Sequence, residues 1–167
     1  MLASRIAYSA ALPALAEHRE VVGSLIVDIM LGLVAAAYGH AARWDEGLRS
    51  VDDGLALSEA VGEHLYAAEL WRVKGELLVG KSRMARGAAR TRTVGAARQC
   101  FDRALEIART QEARSVELRI AMSLVRLPAR NDEARDRLRA LHASFTEGFD
   151  TKDLEDARTL LQVVGAR

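Results

Sequence analysis

WRVKGELL, residues 71–78, decides the architecture of this chain when it is read with Ala97, Phe101 and Ala104 further on. Trp71, Gly75 and Leu78 are spaced four and three residues apart, which places them along one side of a helix. Ala97, Phe101 and Ala104 repeat that spacing and mark a second helix. Glycine inside a helix costs roughly 1 kcal/mol against alanine, so Gly75 needs a packing reason. The reading is a close approach of the second helix at Gly75, with Trp71 and Phe101 filling the space above and below. The product is an antiparallel helix pair.

This spacing is that of the tetratricopeptide repeat, W-x2-L-G-x2-Y followed by A-x3-F, with Lys74 in place of leucine and Leu78 in place of tyrosine. The same register continues in both directions. Upstream, a helix is predicted over 23–39, with Leu31, Val34, Ala35 and Tyr38 at the repeat positions. After a turn at 40–44, Asp45 is the predicted N-cap of a partner helix carrying Gly47, Val51 and Gly54, which Gly62 closes. The central pair then takes 63–79 and 94–111. A third pair is predicted over 115–127, with Leu118, Met122 and Val125, and over 132–145, with Ala134, Leu138 and Leu141. Pro128 ends the first of these, and Asn131 or Asp132 caps the second. A last helix over 151–164, with Leu154, Ala157, Leu160 and Leu161 on its apolar side, serves as the terminal cap. Residues 3–19 also read as a helix, with Pro13 as its irregularity. The expected fold is therefore all-α: a right-handed superhelical stack of antiparallel helix pairs, about three and a half repeats in one domain over 1–167.

Composition agrees with a helical globular chain and narrows its partners. Of 167 residues, 50% are hydrophobic and 28% charged, with a net charge of +1, so nothing pulls the whole molecule toward nucleic acid or membrane. Cys100 is the only cysteine, which excludes an intrachain disulfide and a cysteine-based zinc cluster; next to Phe101 it reads as a core thiol. The stretch 21–38 is apolar apart from Ser24 and Asp28. A central aspartate costs a few kcal/mol in a membrane, so a buried helix is the expectation there. The faintly signal-like residues 1–16 are interrupted by Ser9 and Pro13, and the expected location is cytoplasmic.

Three stretches carry a narrower resemblance: GEHLYAAELWRVKGELLV (62–79), CFDRALEIARTQEARSVELRIAMSLVRL (100–127) and FTEGFDTKDLEDARTLL (145–161). Together they resemble the C-terminal helical tail of bacterial multidomain regulators. In those proteins a class III adenylate or guanylate cyclase domain, or another signalling domain, precedes a signal-transduction ATPase. The resemblance covers roughly residues 30–165. It implies a regulatory or interaction module, and it carries over no catalytic residue, because those lie in the other domains.

Nothing in the spacing of polar residues suggests chemistry. Gly80-Lys81-Ser82 lacks the earlier glycine and the preceding strand of a phosphate-binding loop. His18, His40, His64 and His142 have no metal-ligand spacing. The expectation is a chain that is not an enzyme and holds neither metal nor cofactor. Two stretches remain for recognition. The segment 80–95, ten residues more than the repeat needs, carries Lys81, Arg83, Arg86, Arg90 and Arg92 and no acid. It reads as a mobile loop, with polyanion contact, nucleic acid included, as the alternative; it lacks aromatic residues to stack on bases. The other stretch is the concave side lined by first helices, where Glu69, Arg72 and Glu76 of one repeat should stand beside Arg119, Ser123 and Arg126 of the next. Either this groove takes a protein or peptide partner, acidic or ending in a carboxylate, or Glu69, Arg72 and Glu76 simply pair at i,i+3 and i,i+4. On the first reading, exchanging Arg72 and Arg119 for glutamate abolishes binding and leaves the melting temperature nearly unchanged. Self-association is compatible with both.

Overall fold

Pairing of small residues against rings explains how the helices pack. The computed structural model describes residues 23, 25–62, 64–128 and 131–165. Among them are seven helices and no strand: α1 over 25–40, α2 Trp44–Val61, α3 Ala67–Ser82, α4 Gly87–Thr110, α5 Arg114–Val125, α6 Asp132–Ala143 and α7 Lys152–Gly165. The helix expected over 3–19 lies outside the described residues. No described helix is long and apolar enough to cross a membrane.

The boundaries follow local chemistry. Gly62, in the left-handed region at φ 73°, closes α2 and donates its N–H to the Ser58 carbonyl, as a glycine past a helix end does. Asn131 caps α6 by accepting from the Ala134 N–H at 3.1 Å. At α2 the expected cap is corrected. Asp45 lies inside the first turn beside Glu46, where both carboxylates complement the helix dipole, and Arg43 holds the cap position without a side-chain bond.

A larger correction concerns 80–95, which is not a loop. Residues 80–82 complete α3, and α4 begins at Gly87, leaving four linking residues, 83–86. Alanine and arginine are among the best helix formers, and GAARTRTVGAAR (87–98) is rich in both, so α4 extends backward until the chain must turn. Its first residues, 87–92, are all exposed. Trypsin is therefore expected to cut first after Arg83 or Arg86, and only slowly after Lys81, Arg90 or Arg92. Equal early cleavage at Arg90 and Arg92 would show that the start of α4 does not hold its helix.

The core forms three successive clusters instead of one central mass. Ala35, Val51, Leu70, Val73 and Leu77 join α1, α2 and α3. Phe101, Ala104, Leu105, Ile120 and Leu124 are the main residues joining α4 to α5, with Ala68 of α3 and Ala134 of α6 at the edges. Leu118, Met122, Leu138 and Leu154 then join α5, α6 and α7. Each helix meets only near neighbours, and α3 touches α5 as α5 touches α7. Phe101 has no exposed surface and Cys100 is buried beside it; burial pushes the Cys100 thiol above its ordinary value.

Two rings pack closely against glycines of α3. A side-chain carbon built at Gly75 would stand 2.7 and 2.8 Å from Cδ1 and Cζ of Phe101. At Gly80 it would stand 2.5 and 2.8 Å from Cη2 and Cε3 of Trp44. The glycine expected at a helix crossing is there at Gly75. Gly80, read from sequence as the start of a loop, is a second such contact, made with α2 in place of α4.

Candidate functional site

Charged residues on the α3–α5–α7 side form a connected network. Glu69, in the first turn of α3, is its joint. One carboxylate oxygen accepts from Arg72 Nη2 at 2.6 Å and the other from Arg119 Nη2 at 3.3 Å. Arg119 Nη1 reaches across to Asp153 of α7 at 2.8 Å. Arg72 Nη1 meets Glu76 Oε1 at 2.6 Å, and the same oxygen accepts from Ser123 Oγ at 2.9 Å. Side chains from three helices are tied by charge-assisted hydrogen bonds.

Burial sets the strength of these pairs. The Arg72 and Glu69 side chains are only 14% and 13% exposed. Burial by itself would raise the Glu69 carboxyl; the hydrogen bond and charge of Arg72, followed by those of Arg119, outweigh it and hold the group below its ordinary value. Burial would lower Arg72, but Glu69 and Glu76 outweigh that and raise it. Arg119 is raised against its own burial by Glu69 and Asp153.

The sequence-predicted groove residues are thus brought together, and most of them are already engaged with each other. Glu69, Arg72 and Glu76 pair at i,i+3 and i,i+4, the second of the two sequence readings. Ser123 is occupied by Glu76 and by the Arg119 carbonyl at 3.1 Å. The expectation that Arg72 and Arg119 are exposed charges, exchangeable without effect on melting, is overturned for Arg72, because its guanidinium is buried against two carboxylates.

Two arginines are left over. Arg83 and Arg126 are the C-cap residues of α3 and α5. Both are exposed and neither makes an ion pair among the described residues. Together they line a pocket of about 240 Å³ with Trp44, Val79, Glu76 and Ser123. Glu76 is held by Arg72 and Ser123, so the two arginines dominate the charge of this pocket. Sequence reading assigned Arg83 to a loop. The continuation of α3 to Ser82, past its expected end, makes Arg83 the helix's C-cap and puts it on the same pocket as Arg126.

Of the other cations in the basic segment, Lys81 is paired with Asp45 of α2. Arg86, Arg90 and Arg92 stand on the exposed start of α4 and make no ion pair among the described residues. A cleft of about 590 Å³ between α2, α3 and α4, floored by Trp71, was not anticipated from sequence. Its Ser58 hydroxyl lies 3.3 Å from His64 Nδ1, and Gln111 Nε2 donates to the His64 carbonyl at 2.7 Å. Ser58 is 1% exposed, so this pair ties the turn after α2 to the end of α4 and presents no nucleophile. Among the described residues no group of His, Cys, Asp and Glu is placed to hold a metal ion. No family model, curated protein or solved structure matches the chain.

Proposed function

We propose that this chain is a non-catalytic protein-interaction module, a right-handed stack of tetratricopeptide-like helix pairs. Its recognition site is the pocket between the ends of α3 and α5. The observation that carries this reading is the placing of Arg83 and Arg126 on one pocket: two exposed arginines at the ends of α3 and α5, without an ion-pair partner among the described residues, beside the apolar surface of Trp44 and Val79. Guanidinium groups bind carboxylates through paired hydrogen bonds, better than ammonium groups do. The ligand is an acidic peptide segment or a free C-terminal carboxylate followed inward by an apolar residue. The three-cluster core supports a repeat stack, and the resemblance to the tails of cyclase–ATPase regulators supports a regulatory partner.

A peptide array displaying acidic, neutral and basic sequences with free or amidated C-termini tests the site. Free, acidic ends are expected to bind. Arg83→Glu with Arg126→Glu is expected to weaken them about tenfold or more, while changing stability by no more than about 0.5 kcal/mol, as exposed substitutions do. Undiminished binding by the double variant would remove the site from this pocket.

A further inference from the structure

Between Glu76 and Asp102 the sequence has no acidic residue, and the part of it over 83–92 carries four arginines: Arg83, Arg86, Arg90 and Arg92. The fold puts this run at the turn from α3 into α4. Of residues 83–92 only Ala85 is partly covered. None of the four arginines makes an ion pair among the described residues, whereas Lys81 just before them is neutralised by Asp45. The first turn of α4 holds no acidic residue, so the helix dipole adds to the same sign. The whole chain carries a net charge of only +1. Exposed charges are screened beyond about 10 Å in ordinary salt, so a surface that approaches this turn meets its local charge and not the average. One residue is out of place on a purely ionic surface. Met84, between Arg83 and Arg86, is 78% exposed, the most of any large hydrophobic side chain among the described residues. Its neighbours Ala85, Gly87, Ala88 and Ala89 are small, so the methionine and the arginines are the side chains that reach furthest from the backbone.

We infer that this turn docks on an anionic membrane surface. Met84 enters the boundary between headgroups and acyl chains, and Arg86 and Arg90, four residues apart on one side of the start of α4, bind lipid phosphates. Arginine suits that depth, because its aliphatic stem lies along apolar surface while the guanidinium stays among the phosphates. Nucleic acid would draw on the same charges, but the run has no aromatic ring to stack on bases, and the exposed methionine is accounted for by a bilayer. The contact is peripheral and weak. Each arginine near an acidic bilayer raises partitioning roughly fivefold, so this cluster half-binds at about millimolar lipid. The surface is distinct from the peptide pocket apart from Arg83, which borders both.

The test sediments the full chain with vesicles of phosphatidylcholine alone and of a two-to-one mixture of phosphatidylcholine and phosphatidylglycerol. Binding to the mixed vesicles only, weakening steeply as salt is raised, is the expected result. Arg86→Glu with Arg90→Glu should lower the partition coefficient about tenfold or more, and Met84→Ser about threefold or more. Both variants should melt like the parent, since all three side chains are exposed. Met84→Cys carrying a polarity-sensitive dye, in a Cys100→Ala background, should shift its emission to the blue on the mixed vesicles. Failure to sediment at several millimolar mixed lipid would overturn the proposal outright. Tighter binding to random duplex DNA or to RNA, unchanged by Met84→Ser and with no shift of the dye on vesicles, would overturn it in favour of a nucleic-acid contact.

Discussion

Replacing Gly75 with leucine is expected to be among the most damaging single changes in this protein. The new side chain would have to enter at the point where Phe101 lies on the α3 backbone, with ring atoms 2.7 and 2.8 Å from the first carbon alone. Phe101 is fully buried among Ala68, Ala97, Ala104 and Ile120, so moving the ring gives up that packing. Either α3 and α4 separate or the ring leaves its site. Overpacking costs about 1–3 kcal/mol, and loss of a buried phenylalanine's packing about 3–5, so the expected loss is about 3 kcal/mol or more. For a chain of this size that lowers the melting temperature by on the order of 10 °C. Gly75→Ala should show a smaller loss, and Phe101→Leu should relieve part of it, since the two sites share one space. A leucine variant melting within a degree or two of the parent would show that the ring is free to move.

Arg72→Met is the second large effect. It keeps an unbranched side chain of similar reach and removes the charge that faces Glu69 and Glu76. Glu69 then stays buried with Arg119 alone, at 3.3 Å. Breaking a buried pair from one side costs about 3–5 kcal/mol, because the remaining charge loses its partner; Glu76 is half exposed and contributes little to that. The pH dependence gives the cause. The Glu69 carboxyl is held below its ordinary value in the fold, so its contribution is fully present above the unfolded value of about 4.3 and is lost as the pH falls through the lower, folded one. The difference in stability between parent and variant should therefore be greatest near neutrality and narrow below about pH 4. A difference that stays constant through that range would mean that Arg72 contributes packing and not charge.

How much of this was legible beforehand depends on the range of the interaction concerned. Helix class, the capping Asn131, the closing Gly62 and the crossing at Gly75 were all readable in sequence, because each rests on neighbours within a turn or two. Phe101 as the partner of Gly75 was readable as well, since a fixed repeat spacing stands in for the missing distance. Gly80 was not: its partner Trp44 lies in another helix pair, and no local pattern links the two. The basic segment misled because its cations suggested a solvated loop, whereas the alanine content decides the backbone and makes it the start of α4. The groove shows the same division. Sequence alone brought Glu69, Arg72, Glu76, Arg119 and Ser123 together on one side of α3 and α5. Sequence also offered the pairing of Glu69, Arg72 and Glu76 along α3 as one of two readings; only the tertiary structure chose it, tied Arg119 to Glu69 and Asp153, and left Arg83 and Arg126 lining one pocket. Helical periodicity fixes the direction in which a side chain leaves its own axis and which neighbours on that helix it can meet, but whether a charge such as Arg119 is engaged depends on what other helices place within reach of it.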